Sequence, residues 1–209
     1  MSIEIRTLQL EDEEALKDIC FVTSAWGRDG KEELRDLIAL RWCLHYLRYE
    51  RPHCHVAVDT KKEFAVVGYL LCAPSTKQYE IEYKEKTLPM IDAEISRLQP
   101  KPGLAQMKLK KDFLLSSKIN LGAKVKKVIE EYPAHIHIDI YPSHHRRGIG
   151  RMLFAAHEEH LREIGCEGYH LTVGTSNENA VRFYQAMGME DVAHIGGKLN
   201  FGIIFAKHV

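Results

Sequence analysis

No Cys-x-x-Cys pair occurs in this sequence, and its five cysteines (Cys20, Cys43, Cys54, Cys72, Cys166) are odd in number and scattered. That argues against a disulfide framework or a thiolate zinc knot and fits a reducing, cytoplasmic setting. Any excess of one charge is missing too: 29 Lys and Arg stand against 29 Asp and Glu. A general nucleic-acid binder needs a basic excess to neutralise phosphates, so no nucleic-acid partner is expected. The longest apolar stretch, Phe64 to Pro74, is too short to cross a bilayer. The opening MSIEIRTLQLEDEE carries acids where a secretory leader needs a basic and then an apolar run. No membrane partner is expected. No repeat or low-complexity tract breaks the 209 residues, which suit a single domain over 1–209.

Periodicity supplies the elements. Residues 2–8 alternate as a strand, and apolar residues at helical spacing mark helices from about Glu11 to Ser24 and from about Lys31 to Arg48. The segments HVAVDT and FAVVGYLLCAP flank the polar turn Lys61-Lys62-Glu63 as a hairpin. Residues from about 75 to 133 differ from their flanks: they hold twelve basic and eight acidic residues without strand alternation. This insert reads as two or three helices, the first starting near Pro89. Its lysines (Lys108, Lys110, Lys111, Lys124, Lys126, Lys127) suit solvated helix faces, with a lid or partner surface as the alternative. A strand follows at 134–141, then a helix from Gly148 to Ile164 with Ile149, Met152, Leu153 and Ala156 on one face. After a strand at 169–173, Thr175 and Glu178 have capping-box spacing before a helix ending near Gly188. Two last strands, about 189–195 and 198–206, flank Gly196-Gly197. Hairpins mixed with strand–helix–strand crossovers imply an α/β (α+β) fold. It is a single mixed, mostly antiparallel twisted sheet of about seven strands flanked by helices, with the helical insert before its central strand.

The chemistry concentrates in Tyr141-Pro-Ser-His-His-Arg-Arg-Gly-Ile-Gly-Arg151, which joins a strand to a helix. Gly148 and Gly150 let the backbone approach a ligand. The helix start offers unpaired N–H groups and a favourable dipole for an anion, and Arg146, Arg147 and Arg151 add positive charge. These parts suit a phosphate or pyrophosphate. The pattern is neither a Walker A loop nor a dinucleotide fingerprint, and alone it is also consistent with a tight turn. A second motif stands further on, Asn177-Glu-Asn-Ala-Val-Arg-Phe-Tyr184-Gln-Ala-Met-Gly188-Met189. On the strand between 134 and 141, His135, His137 and Asp139 share a face. With His144 and His145 nearby they raise a metal reading, but the loop has a better explanation and no metal is expected. His53 and His55 have similar spacing and are given no role.

Together the two motifs resemble the GNAT superfamily of acetyl-CoA-dependent N-acetyltransferases. Their Arg/Gln-x-x-Gly-x-Gly/Ala loop is matched by His145-Arg146-Arg147-Gly148-Ile149-Gly150, with His145 in place of Arg or Gln. Their Asn-x-x-Ala-x-x-Phe/Tyr-Tyr-x-x-x-Gly-Phe signature is matched from Asn177, with Met189 in place of the final Phe. A narrower likeness, to the acetyltransferase-like domain of O-GlcNAcase and its free-standing relatives, is carried by Val66-Val-Gly-Tyr-Leu-Leu71, Thr87-Leu-Pro and Tyr132-Pro-Ala-His-Ile-His-Ile-Asp-Ile140. The resemblance implies acetyl-CoA as co-substrate, its pyrophosphate over residues 145–151. The pantetheine arm would run along Ile138, Asp139 and Ile140, with Asn177 on the other side. Tyr184 matches the position of the acid that protonates the departing thiolate. Asp139, with His137 second, is expected as general base, and a lining of a solvated face is the alternative for both. The acceptor would be a small amine or a protein lysine, met by Trp26, Arg28, Asp29, Trp42, Tyr46 and the insert. A homodimer is possible for such a fold, and a non-catalytic acyl-CoA-binding or protein-interaction module is the rival function.

Overall fold

The computed structural model describes residues 2–24, 27, 29–99, 108, 123–196 and 201–209. Trp26, Arg28, Lys110, Lys111, Gly197 and the side chain of Lys124 lie outside what is described. Lys108, Lys126 and Lys127 are exposed.

The chain opens with β1 (Ile3–Thr7) and α1 (Glu13–Thr23). Arg6 forks onto both carboxyl oxygens of Asp12 at 2.8 and 2.7 Å, tying the helix start to the strand. Glu13 and Glu14 occupy the first turn of α1, where the helix dipole favours negative charge. Next comes α2 (Arg35–Trp42). The helix expected to run on to Arg48 breaks at Cys43, whose φ is −133°, and resumes as a π-helical turn at Tyr46–Glu50. Periodicity hides the break, because Leu40, Cys43, Leu44 and Leu47 are buried on both sides of it.

Strands β2 (His55–Asp59) and β3 (Ala65–Ala73) form the expected hairpin. Glu63 and Phe64 take positive φ at its turn, so β3 starts one residue after Phe64, which is exposed. The insert begins where expected, but its first helix starts at Thr76 and not near Pro89. Helix α3 (Thr76–Glu82) is capped by Ser75, whose side chain accepts from the Gln78 N–H. A π-helical turn at Tyr83–Thr87 leads straight into α4 (Leu88–Leu98). Pro89 therefore sits at the second position of α4, just after the π-helical turn, and not at a free helix start. The remaining elements are α5 (Ala123–Glu131), β4 (Ala134–Ile140), α6 (Ile149–Glu163), β5 (Gly168–Gly174), α7 (Glu178–Ala186), β6 (Glu190–Gly196) and β7 (Phe201–His208). On α6, Ile149 and Leu153 turn inward as expected, whereas Met152 is 37% exposed and Phe154, His157 and Leu161 complete the buried face.

The seven strands form one open sheet in the order β1-β2-β3-β4-β5-β7-β6, antiparallel throughout except for β4 beside β5. The alternation of β3 divides the core. Tyr69, Leu71 and Ala73 join α1 and α2 on one face, while Leu70 and Cys72 join α6 on the other. Burying both faces explains the unbroken apolar run of this strand. Each fully buried Leu or Phe contributes roughly 1.5–3 kcal/mol. On the far side, α5 packs Val125, Val128 and Ile129 against Ile204 and Ala206 of β7. Among the described residues no helix is long and apolar enough to cross a membrane.

Candidate active site

Strands β4 and β5 pair only at Ala134 with Tyr169 and at His135 with His170. Beyond that point β4 stays paired to β3 up to Ile140, so the sheet opens between its two parallel strands. The Tyr141 N–H donates to Val67 O at 3.0 Å, which sets the alternation of the strand. Asp139 therefore turns its backbone groups to β3, and Ile138 and Ile140 turn theirs to the opening. Of the three residues expected to offer backbone, Asp139 has its N–H and C=O turned to β3.

The loop after β4 ends at the mouth of this opening. Arg146 and Gly148 both take left-handed backbone conformations, φ 60° and 79°. A side chain on Gly148 would meet nothing within 4 Å, so this glycine is required for its φ alone. Gly150 has another cause. A Cβ there would lie 2.8 Å from Cζ of Phe183, so its hydrogen makes room for the Phe183 ring of α7 against α6. Gly148 caps α6 without a side-chain hydrogen bond, and the first intrahelical bond runs from Met152 N–H to Gly148 O. The N–H groups of Ile149, Gly150 and Arg151 are thus the open donors of the first turn. Arg146, Arg147 and Arg151 are exposed and, among the described residues, make no ion pair. His145 turns its ring back onto the strand, with Nε2 2.8 Å from Ile140 O, and so pins the loop to the end of β4.

On the α1 face of β4, His137 Nε2 stands 3.1 Å from Asp139 Oδ2, and the Tyr69 hydroxyl donates to the same oxygen at 2.7 Å. Burial disfavours charge on His137, yet the Asp139 carboxylate and a contact with Cys20 lift its pKa to about 10. The Cys20 thiol is drawn down to about 7 by the Cys43 thiol, against its own burial, with His137 adding to the effect. Trp42, 40% exposed, stacks on His137 with centroids 5.7 Å apart. Tyr46, also expected near the acceptor, is buried against Tyr79 and His135. His135 separates from the pair below it: its Nδ1 is 2.9 Å from Thr76 Oγ1, and burial pushes its pKa down to about 3. Among the described residues no group of three His, Cys, Asp or Glu side chains could hold a metal ion.

Across the opening, the Tyr184 ring packs among Phe154, Phe183 and Phe205 and is 8% exposed. Burial, and then the charge of Asp139, raise the pKa of its phenol, which stays protonated as a donor. Asn177 caps α7, its Oδ1 accepting from the Ala180 N–H at 3.2 Å; Asn177, not Thr175, is the capping residue. Tyr69 lies within the segment Val66-Val-Gly-Tyr-Leu-Leu71, but nothing in that segment marks it as a site residue. Only its register opposite Asp139 reveals it, and that requires the strand pairing.

Comparison with known proteins agrees with this geometry. Residues 121–189, which run through α5, β4, the loop, α6, β5 and α7, match the model of the acetyltransferase (GNAT) family. The crystal structure of SsHAT superposes with a TM-score of 0.78 at 24% identity, covering 100% of this chain and 98% of that one. PaiA N-acetyltransferase from Thermoplasma acidophilum, in complex with coenzyme A, gives 0.59 at 16% identity over 100% of both chains. The putative acetyltransferase yncA from Salmonella typhimurium, with its cofactor acetyl-CoA, gives 0.53 at 13% identity over 100% of this chain and 94% of that one. The chain has the GNAT acetyltransferase fold.

Proposed function

We propose that this chain transfers the acetyl group of acetyl-CoA to a primary amine, of a small molecule or of a protein lysine, by direct attack on the thioester. The opening between β4 and β5, set beside the uncapped first turn of α6, carries the reading. The family match over that segment and the coenzyme A named with two structural neighbours support it. Likeness to the O-GlcNAcase acetyltransferase-like domain remains part of the proposal, resting on the segments quoted from the sequence.

Acetyl-CoA supplies an activated acyl group and a thiolate leaving group. The amides of Ile149, Gly150 and Arg151, with Gly148 and the three arginines Arg146, Arg147 and Arg151, suit its pyrophosphate. His145 fixes their approach through Ile140. Ile138 and the N–H of Ile140, whose carbonyl His145 holds, offer backbone to the pantetheine arm, with Asn177 on the α7 side. The attacking amine must be neutral, so a group must take its proton. Asp139 is suited to that role, whereas His137, held charged beside it, is not free to accept a proton near neutral pH. Tyr184, whose buried phenol stays protonated, suits the role of donor to the departing sulfur.

Two outcomes check the roles. Tyr184→Phe should lower the maximal rate about 10²-fold, within the range of general acid catalysis, and leave acetyl-CoA affinity unchanged because the ring remains. An unchanged rate would make Tyr184 a packing aromatic. Arg147→Ala should weaken acetyl-CoA by about 1–3 kcal/mol, the scale of one charged hydrogen bond, as read by calorimetry. The function itself is tested by incubating the protein and acetyl-CoA with a panel of polyamines, amino acids and lysine peptides and reading released thiol. Saturable acetyl-CoA binding without thiol release from any acceptor would favour the non-catalytic module.

A further inference from the structure

Both polar partners of the Asp139 carboxyl group end on one oxygen. The Tyr69 hydroxyl donates to Oδ2 at 2.7 Å, and His137 Nε2 lies 3.1 Å from the same atom. Among the described residues Oδ1 accepts no hydrogen bond. Tyr69 stands opposite Asp139 in the β3–β4 register and is 0% exposed, so its hydroxyl comes from the core side of the sheet. It also lies 3.4 Å from His137 Nε2, close enough to fix the three groups relative to one another. A buried phenol needs a partner for its polar end, and here the partner is the carboxylate.

The geometry points to Tyr69 as a positioning residue: its phenol pins Asp139 through Oδ2, which keeps the carboxylate against His137 and leaves Oδ1 without a partner among the described residues. Burial first, and then the Asp139 charge, hold that phenol well above the ordinary tyrosine range, so it serves as a fixed donor. The use of Oδ1 as proton acceptor rests on the acetyl-transfer reading. The pinning does not.

The groups facing His137 are Asp139 on its own strand, Tyr69 from β3, Cys20 from α1 and the ring of Trp42. A nuclear magnetic resonance titration of the His137 imidazole in the parent and in Tyr69→Phe therefore reads the hold directly. In the parent the ring should titrate near 10. In the variant Asp139 is free to swing away, and the His137 midpoint should fall by at least about one unit, because a departing opposite charge no longer favours the imidazolium. An unchanged or raised midpoint would overturn the proposal, since the carboxylate would then be held without Tyr69. The parent gives a second reading that needs no variant. Its Tyr69 phenol proton should exchange slowly with water and show a cross-peak to His137; rapid exchange would overturn the proposal as well. On an amine that the acceptor panel identifies, Tyr69→Phe should lower kcat about tenfold with acetyl-CoA affinity unchanged. If the parent bound no acetyl-CoA, the transferase reading would fall, while the His137 titration would still decide whether Tyr69 holds Asp139.

Discussion

Taken from pH 7 toward pH 4, the protein is expected to unfold cooperatively, with a midpoint between about pH 4 and 5. Three core histidines carry this expectation. His45, His55 and His157 are 1, 9 and 0% exposed. Burial depresses their pKa values to about 4, about 4 and about 3. Nε2 of His45, Nδ1 of His55 and both ring nitrogens of His157 have no hydrogen-bond partner among the described residues. The folded state keeps these rings neutral down to those values, whereas the unfolded chain takes up protons near 6.5. Between the two the unfolded state binds more protons, so stability falls as pH falls, by roughly 1.4 kcal/mol per unit for each ring. Three together remove roughly 4 kcal/mol per unit. His135, pushed down to about 3, adds a fourth ring, and Glu50, raised by burial to about 7, offsets one. The net slope uses up an ordinary stability of about 5–15 kcal/mol within a few units. His137 has the opposite sign. Its raised pKa gives stability that is complete below 6.5 and is lost as pH rises through about 10, so it adds no protection on the acid side. Circular dichroism against pH reads the midpoint, and His157→Leu should lower it by about one unit, since it removes about a third of the slope. A parent still folded at pH 3 would mean that these histidines are not the weak point.

Gly150→Glu is expected to abolish acetyl-CoA binding, a loss of more than about 10³-fold, the scale of several charged hydrogen bonds. Two effects act together. The new Cβ meets the Phe183 ring at 2.8 Å, so α7 or the ring must move. The carboxylate then occupies the first turn of α6 and answers the helix dipole that would otherwise receive the pyrophosphate. The same charge favours the helix itself, so lost binding need not mean lost fold. Gly150→Ala carries the steric effect alone. Combined with Phe183→Leu, which withdraws the ring, it should bind within about tenfold of the parent. Parent-like binding by Gly150→Glu would place the cofactor elsewhere.

What could be read from the chain follows from what a pattern can encode. The β2–β3 hairpin, the run of β3 and the helix α6 were legible because period and turn residues are local. The break at Cys43 and the two π-helical turns were not, since buried residues continue across them at helical spacing. The outward turn of Met152 was hidden for a related reason, as an apolar residue beside a buried stripe looks no different in sequence from one within it. In the site, the glycine–arginine loop was legible as an anion-binding helix start. The reason for Gly150 was only half visible, because Phe183 lies more than thirty residues away. The pairing of His137 with Asp139 followed from alternation on one strand, but Tyr69 needed the register of a neighbouring strand. His145, an apparent departure from the family pattern, acquires a role only once Ile140 O is within its reach.

The central claim is that the opening between β4 and β5 and the first turn of α6 hold acetyl-CoA. Calorimetric titration of acetyl-CoA into the parent protein tests it most directly, with Gly150→Glu titrated alongside. Saturable one-to-one binding that free coenzyme A competes away, and that the variant lacks, is the expected result. A parent that takes up no acetyl-CoA, or a variant that binds it equally well, would contradict the claim.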